Sequence, residues 1–351
     1  MRLLVLLTVC LACAPRAQVP ARPVDADNEA AGGLTERDEE RIYDAVLQRL
    51  QHETLQVTTL IQVVPILTLG TTAEGEDGWT IPRARLGLRS RFDNGFGLRL
   101  QEDFAQSPSL KDAYLWYQTP SDQVRVLVGK QTVPLSAERL TSSGSVDFVS
   151  RSRASSALGP DREIGASTRV QLLGEALSLR AGVFNAYFRR DTTGERLAQG
   201  DRGGALVVAR LQSASLPTSG VRYAVGAAVG VETAATAADV VSPGRVIVSV
   251  DGRFQAGRFL LAAEALRGRV DTAGGVLAEP TTSDGYFLTA GVDLTQTQRA
   301  LARLDVFDGD PWLILGHNVS FTRAVSLQSN LIVPLENGEP PQLRFNAQVA
   351  F

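Results

Sequence analysis

Thiol, imidazole and ammonium groups are nearly missing from this chain of 351 residues. The two cysteines are Cys10 and Cys13, the two histidines His52 and His317, and the only lysines Lys111 and Lys130. So few sulfur and nitrogen ligands exclude a tetrahedral zinc site of the usual kind. Past residue 13 no thiol remains to act as a nucleophile. Neither sign of charge dominates, with 35 basic and 38 acidic residues and a net charge of −3, so nothing global points to nucleic acid. Beyond the amino end, no stretch approaches the roughly 20 apolar residues that a membrane-crossing helix needs. No G-x-S-x-G elbow and no phosphate-binding loop occur, and the glycines of GFGLRL and GAAVGV lack a strand, turn and helix around them. No cofactor is expected.

What is present begins with Met1, Arg2 and an apolar run to Ala14, the length of a signal peptide. We place its end near residue 17. Ala12, Ala14 and Ala17 are alternative small residues for the cut, and a lipoprotein signal ending at Cys13 is a second option. Residues 18–53 read as a Pro- and Ala-rich linker followed by a short amphipathic helix, in which Ile42, Ala45, Val46 and Leu50 recur at helical spacing. The expected place of this segment is the periplasm.

From residue 54 the pattern changes to period two. In RARLGLRSRF, Arg83, Arg85, Arg89 and Arg91 share one face of a strand, and Ala84, Leu86, Leu88 and Phe92 the other. LSLRAGVF and the terminal LRFNAQVAF alternate in the same way. The template repeats about sixteen times over residues 54–351, mostly in segments of ten or eleven residues separated alternately by short and longer connections. That is the pattern of an all-β, antiparallel transmembrane barrel with periplasmic turns and extracellular loops. Phe92, Phe96, Tyr117, Phe254, Phe259, Phe321 and Phe351 lie beside short turns, whereas Trp79, Phe104, Tyr286 and Trp312 lie near long loops, as two interfacial girdles require.

With the oily faces on lipid, the inward set holds Arg83, Arg85, Arg89, Arg91, Arg99, Arg125, Arg169 and Arg180, followed by Arg210, Arg222, Arg253, Arg303 and Arg344. The inward acids Asp103, Asp112, Asp251, Glu264, Asp293 and Asp305 are fewer. Fixed cations in a wet channel favour anions. The alternative is that the arginines pair with those acids and brace the wall. The longest connection, residues 134–163, is expected to fold inward and carries Arg139, Arg151, Arg153 and Arg162. Ala224, Gly226, Ala228 and Gly230 form a small-residue stripe with room for such a loop or for a plug. Lys130 falls in phase with Val124, Val126 and Val128 on the lipid side.

The segments IPRARLGLRSRF, LKDAYLWY, VGKQTVPLSAERLTSS, DFVSRS and GPDREIG, in this order over residues 79–187, resemble the phosphate-selective porin O and P family. The resemblance implies a trimeric outer-membrane anion channel of sixteen strands with its third loop in the constriction. Arg139, Arg151, Arg153 and Arg162 then belong to the constriction loop, and Arg83, Arg85, Arg89 and Arg91 to the wall. Lysines that help form the phosphate site in the best-known members have no counterpart in this loop. The expected activity is therefore passive diffusion of phosphate or other small anions through a homotrimer in a Gram-negative outer membrane. Competing expectations are a plugged structural or adhesive barrel, and a barrel hydrolase built on His317 and Ser320.

Overall fold

A computed structural model of the chain describes residues 55–351, apart from 71–76, 93, 106, 174–175, 187–189, 192–203, 215–220, 234, 238–239, 243, 271–280 and 337. The expected signal segment, linker and helix lie outside the described residues.

The strands are β1 (Leu55–Thr68), β2 (Gly78–Arg91), β3 (Phe96–Asp103), β4 (Ser109–Gln118), β5 (Val124–Thr132), β6 (Arg162–Gln171), β7 (Leu177–Asn185), β8 (Arg190–Asp191), β9 (Ala205–Ala214), β10 (Val221–Glu232), β11 (Ala235–Ala237), β12 (Val240–Ser242), β13 (Arg245–Ala256), β14 (Phe259–Val270), β15 (Thr281–Asp293), β16 (Gln298–Phe307), β17 (Asp310–Ser320), β18 (Val325–Pro334) and β19 (Gln342–Ala350). All but β8, β11 and β12 form one closed barrel, each strand antiparallel to its sequence neighbour, with β19 pairing β1 to complete the ring. Those sixteen strands begin within a few residues of the sixteen read from the alternation. The three short strands form a separate small sheet in the order β11-β12-β8, which period-two reading does not anticipate.

Side chains obey the alternation. In β13, Val246, Val248 and Val250 are exposed on the outer face, while Arg245, Ile247, Ser249 and Asp251 are buried inside. The phase slips at two places, and each slip has a cause. Pro82 has no N–H to give to a ladder. A bulge opposite Gln62 and Val64 accommodates it, so Ile81 faces outward although it shares parity with inward Arg83. A second irregularity, at Gln101 and Glu102, leaves Lys111 as the extra residue between outward Leu110 and inward Asp112. The connection at Asp308 and Gly309 is a two-residue turn in which both residues have positive φ, 48° and 84°.

Every aromatic assigned to the short-turn girdle is exposed, as are Trp79, Phe104 and Tyr286 at the other end. Trp312 is the exception. It turns inward against the cluster of Phe148, Leu260, Leu301, Ile314 and Ile332, because that interior is apolar rather than wet. His317 alternates with inward Gly316 and Asn318 and falls in phase with exposed Leu315, so it faces outward and away from any lumenal chemistry.

An outer surface held in hydrocarbon makes a simple prediction. Val250 is 62% exposed at the middle of β13. Replacing it by Arg is expected to cost about 2–4 kcal/mol in reversible folding into lipid vesicles, whereas Val250→Leu leaves the denaturant midpoint near wild type.

Candidate functional site

Between β5 and β6 the chain leaves the wall, crosses the interior and returns. Two short helices break this strap, α1 (Ala137–Leu140) and α2 (Arg153–Ala157), each capped by a serine. The Ser136 hydroxyl accepts from the Arg139 N–H and the Ser152 hydroxyl from the Ser155 N–H, both at 3.2 Å. Val133, Leu135, Ala154 and Leu158 of the strap pack on Phe184, Leu206, Val208, Ala228, Ile247 and Leu266, which point in from β7 to β14. Phe148 fills a second apolar cluster on β14 and β16 to β18. The small-residue stripe of β10 makes this possible, since a Cβ on Gly230 would lie 2.6 Å from Leu135 Cδ1. Each such buried Leu or Phe contributes roughly 1.5–3 kcal/mol of burial.

Polar pins complete the docking. Asn330 accepts the Val149 N–H (2.7 Å), Gln328 donates to the Val146 carbonyl (2.7 Å), Asn318 to that of Asp147 (2.8 Å) and Gln348 to that of Gly144 (2.9 Å). Glu138 is the central knot. Its carboxylate accepts the Ser152 N–H (2.8 Å) and the Ser155 hydroxyl (2.5 Å), joining α1 to α2, and pairs with Arg303 of β16 at 2.9 Å. Arg303 is itself held between Phe148 and Phe287, 4.3 and 4.4 Å from the ring centres. Burial alone pushes the Glu138 carboxyl up, but the Arg303 charge and the serine hydrogen bonds outweigh it and hold the group below its ordinary value. Glu264 accepts the N–H groups of Ala137 and Glu138, at 2.8 and 3.1 Å.

Docked in this way, the strap packs against the side of the barrel lined by β9 to β18, where cavities of about 400 and 300 Å³ remain beside it. Along the opposite side, from β1 to β7, it leaves a cavity of about 620 Å³. One wall of the cavity is the hydroxyl-rich stretch Thr141, Ser142 and Ser143 of the strap, and the other carries Arg85, Arg99, Arg125, Arg169 and Arg180. Three of these form a row in direct cross-strand register, Arg125 opposite Arg169 and Arg169 opposite Arg180, and the row continues to Arg210. Adjacent strands stand about 5 Å apart. At that spacing two like charges repel by roughly 3 kcal/mol at an effective dielectric of about 20. Arg210 escapes this by pairing with Asp251 at 2.7 Å, over Gly226, where a Cβ would meet the guanidinium at 2.3 Å. Arg125, Arg169 and Arg180 have no carboxylate partner among the described residues, and the buried Nε of each has no acceptor. At the end of the strap Asp161 sits among other cations. Burial pushes its carboxyl up, yet Arg162, Arg139, Lys111 and Arg151 hold it below the usual carboxylate range.

The expected wall residues divide into two groups. Arg85 pairs with Asp103 and Arg99 with Asp112, each at 2.8 Å, and Arg83 donates to Gln62 at 2.6 Å, so bracing is the right description for these three. Arg89 and Arg125 stack on Trp116 instead. Arg91 ends β2 and is exposed. Farther round the barrel Arg253 pairs with Asp147 and Arg299 with Asp293. The strap arginines divide as well. Arg139 borders the cavity while donating to the carbonyls of Ser155 and Ser156, and Arg151 donates to those of Glu138 and Thr141. Arg153 turns to the far wall, bonds Asp310 and stacks on Trp312 at 4.2 Å, so it anchors the strap. Arg162 is corrected more strongly. It is the first residue of β6 rather than part of the loop, fixed there by the β5 ladder and by Asp112 at 2.7 Å. The anchors Asn330, Gln328 and Gln348 escape sequence reasoning, because a lone amide inside a strand carries no pattern; inward parity is the one signal that points to them.

A closed barrel of sixteen strands, with a long third loop folded into its lumen, is the architecture of a general diffusion porin. The model for the phosphate-selective porin O and P family matches residues 69–305, and the chain belongs to that family. It is thus an outer-membrane channel of Gram-negative type. Among solved structures, OmpF of Salmonella typhi, in complex with daunomycin, superposes with a TM-score of 0.62 at 11% identity, covering 85% of this chain and 97% of that one. An anion-selective porin from Comamonas acidovorans gives 0.59 at 13%, covering 85% and 99%, and the trimer form of OmpT of Vibrio cholerae gives 0.59 at 9%, with the same coverage. These likenesses concern the fold. No curated protein matches the sequence.

Removing the central knot is expected to free the strap. Glu138→Gln leaves Arg303 buried without its counter-charge, a loss of about 3–5 kcal/mol at neutral pH. Hydrogen exchange over residues 133–161 should accelerate. Because the folded carboxyl titrates below its ordinary 4.5, the wild-type contribution is whole above that pH and fades as the pH falls through the lower folded value. Variant and wild type should therefore converge in acid.

Proposed function

We propose that this porin conducts small anions, phosphate among them, with the Arg125, Arg169 and Arg180 row as the selecting element. The observation that carries this is the absence of any carboxylate paired with those three guanidiniums among the described residues, where most of the other inward arginines, Arg83, Arg85, Arg99, Arg210, Arg253, Arg303 and Arg344, are balanced by an acid or tied to protein acceptors. Uncompensated positive charge in a narrow wet passage lowers the barrier for anions and raises it for cations. The likeness to the anion-selective porin from Comamonas acidovorans agrees with this choice. A lysine-free strap argues for a general anion pore over one built for phosphate alone, since no compact ammonium faces the cavity from the loop. By analogy with its relatives the functional unit is a homotrimer embedded in the outer membrane, with residues 1–17 acting as the export signal and 18–53 held on the periplasmic side.

In planar bilayers under a potassium chloride gradient, the reversal potential of the purified protein should indicate chloride over potassium. Arg169→Gln and Arg180→Gln should each reduce the preference, and the double variant should reduce it further. Phosphate should slow chloride current in proportion to its own passage, without the tight block of a dedicated site. A cation preference in the wild type refutes the proposal, and absence of current transfers the protein to the plugged class.

A further inference from the structure

Trp116 sits where an indole is not expected. Its position in β4 points it into the lumen, yet it is only 3% exposed. The indole lies across β3 directly over Gly97, its register partner, where a Cβ would come within 2.1 Å of Trp116 Cζ2. Only glycine leaves room for the ring to lie down. On the ring rest two guanidiniums from different strands, Arg125 of β5 at 5.0 Å and Arg89 of β2 at 5.3 Å from its centre. Neither has an acidic partner among the described residues. Besides the Tyr114 phenol, the groups that act on Arg125 electrostatically include Arg89, Arg169 and Arg91, three charges of its own sign. The negative face of the indole is the counter-charge that the wall supplies here.

We propose that Trp116 is a positioning residue for anion selection. Its ring holds Arg89 and Arg125 together at the short-turn end of the cavity, and Gly97 provides the bed on which the ring lies. A carboxylate in the same place would hold the two arginines as well, but it would cancel their charge. An aromatic ring attracts a cation through its quadrupole and leaves the net charge on the wall, so the anion-facing field survives the packing. The arginine row thus starts from a fixed end, Arg125, from which Arg169 and Arg180 follow strand by strand.

The inference rests on the anion function proposed above, and the test separates the two. Trp116→Phe keeps an aromatic face, and Trp116→Leu keeps apolar bulk without one. Each protein is checked for the heat-dependent gel shift of a folded barrel. Then the chloride-to-potassium permeability ratio and the rate at which phenylglyoxal modifies Arg89 and Arg125, read by peptide mass, are compared. The Phe variant should stay near wild type in both. The Leu variant should lose about two- to tenfold in permeability ratio and gain similarly in modification rate. Equal behaviour of Phe and Leu means that the indole only fills space, and this overturns the proposal. Faster modification in Leu with an unchanged ratio, in a wild type that does prefer anions, overturns it too. A wild type without anion preference overturns the anion function and with it any part of Trp116 in selection, and the modification rates then show separately whether the ring holds the arginines.

Discussion

Every backbone donor and acceptor placed in hydrocarbon must find a partner within the protein, and a sheet satisfies this only by having no edge. The pairing of β19 with β1 is therefore the contact on which the structure depends. Once the ring is closed, the pleat leaves each residue two choices, lipid or lumen. Valines, leucines and phenylalanines take the first, and charge goes to the second. The arginine content of the interior follows from the alternation, before any functional demand is considered.

An interior so rich in guanidinium would be under strong self-repulsion, and the strap resolves this unevenly. On its own side it brings Glu138 and Asp147 to Arg303 and Arg253, while wall acids take Arg210, Arg299 and the strap's Arg153. That half is balanced in charge and carries two apolar clusters that grip the strap. Across the lumen the compensation stops short, and Arg125, Arg169 and Arg180 keep their charge beside an aromatic ring and a line of hydroxyls. One segment thus narrows the passage and also decides which wall remains charged.

Strand number, phase and most of the girdles are legible in the sequence because the two-residue period is a local property. Even the inward fold of the long loop is expected from its length, and the small residues of β10 leave room for it without singling it out. What escapes is long-range. Arg85 and Arg125 look alike along the chain, yet one meets Asp103 and the other Trp116, and only the register of neighbouring strands tells them apart. Nearness to a loop suggests a girdle position for Trp312. Its inward turn depends on Phe148, more than 160 positions earlier in the chain. Arg162 reads as a loop residue because its pairing with β5 is invisible without the barrel.

The anchors of the strap have a consequence for assembly. Apart from Gln62 and Arg85, which reach Ser143, the wall partners that fix the middle of residues 133–161 lie later in the chain, and Gly144 is tied to Gln348, 204 positions further along. The two ends of the strap can pack on β7 to β14, but its middle is fully pinned only when β16 to β19 are in place. Ring closure then completes the narrowed pore. A half-inserted chain is an open gutter without a sieve, and selectivity appears only when the last strand zips against the first.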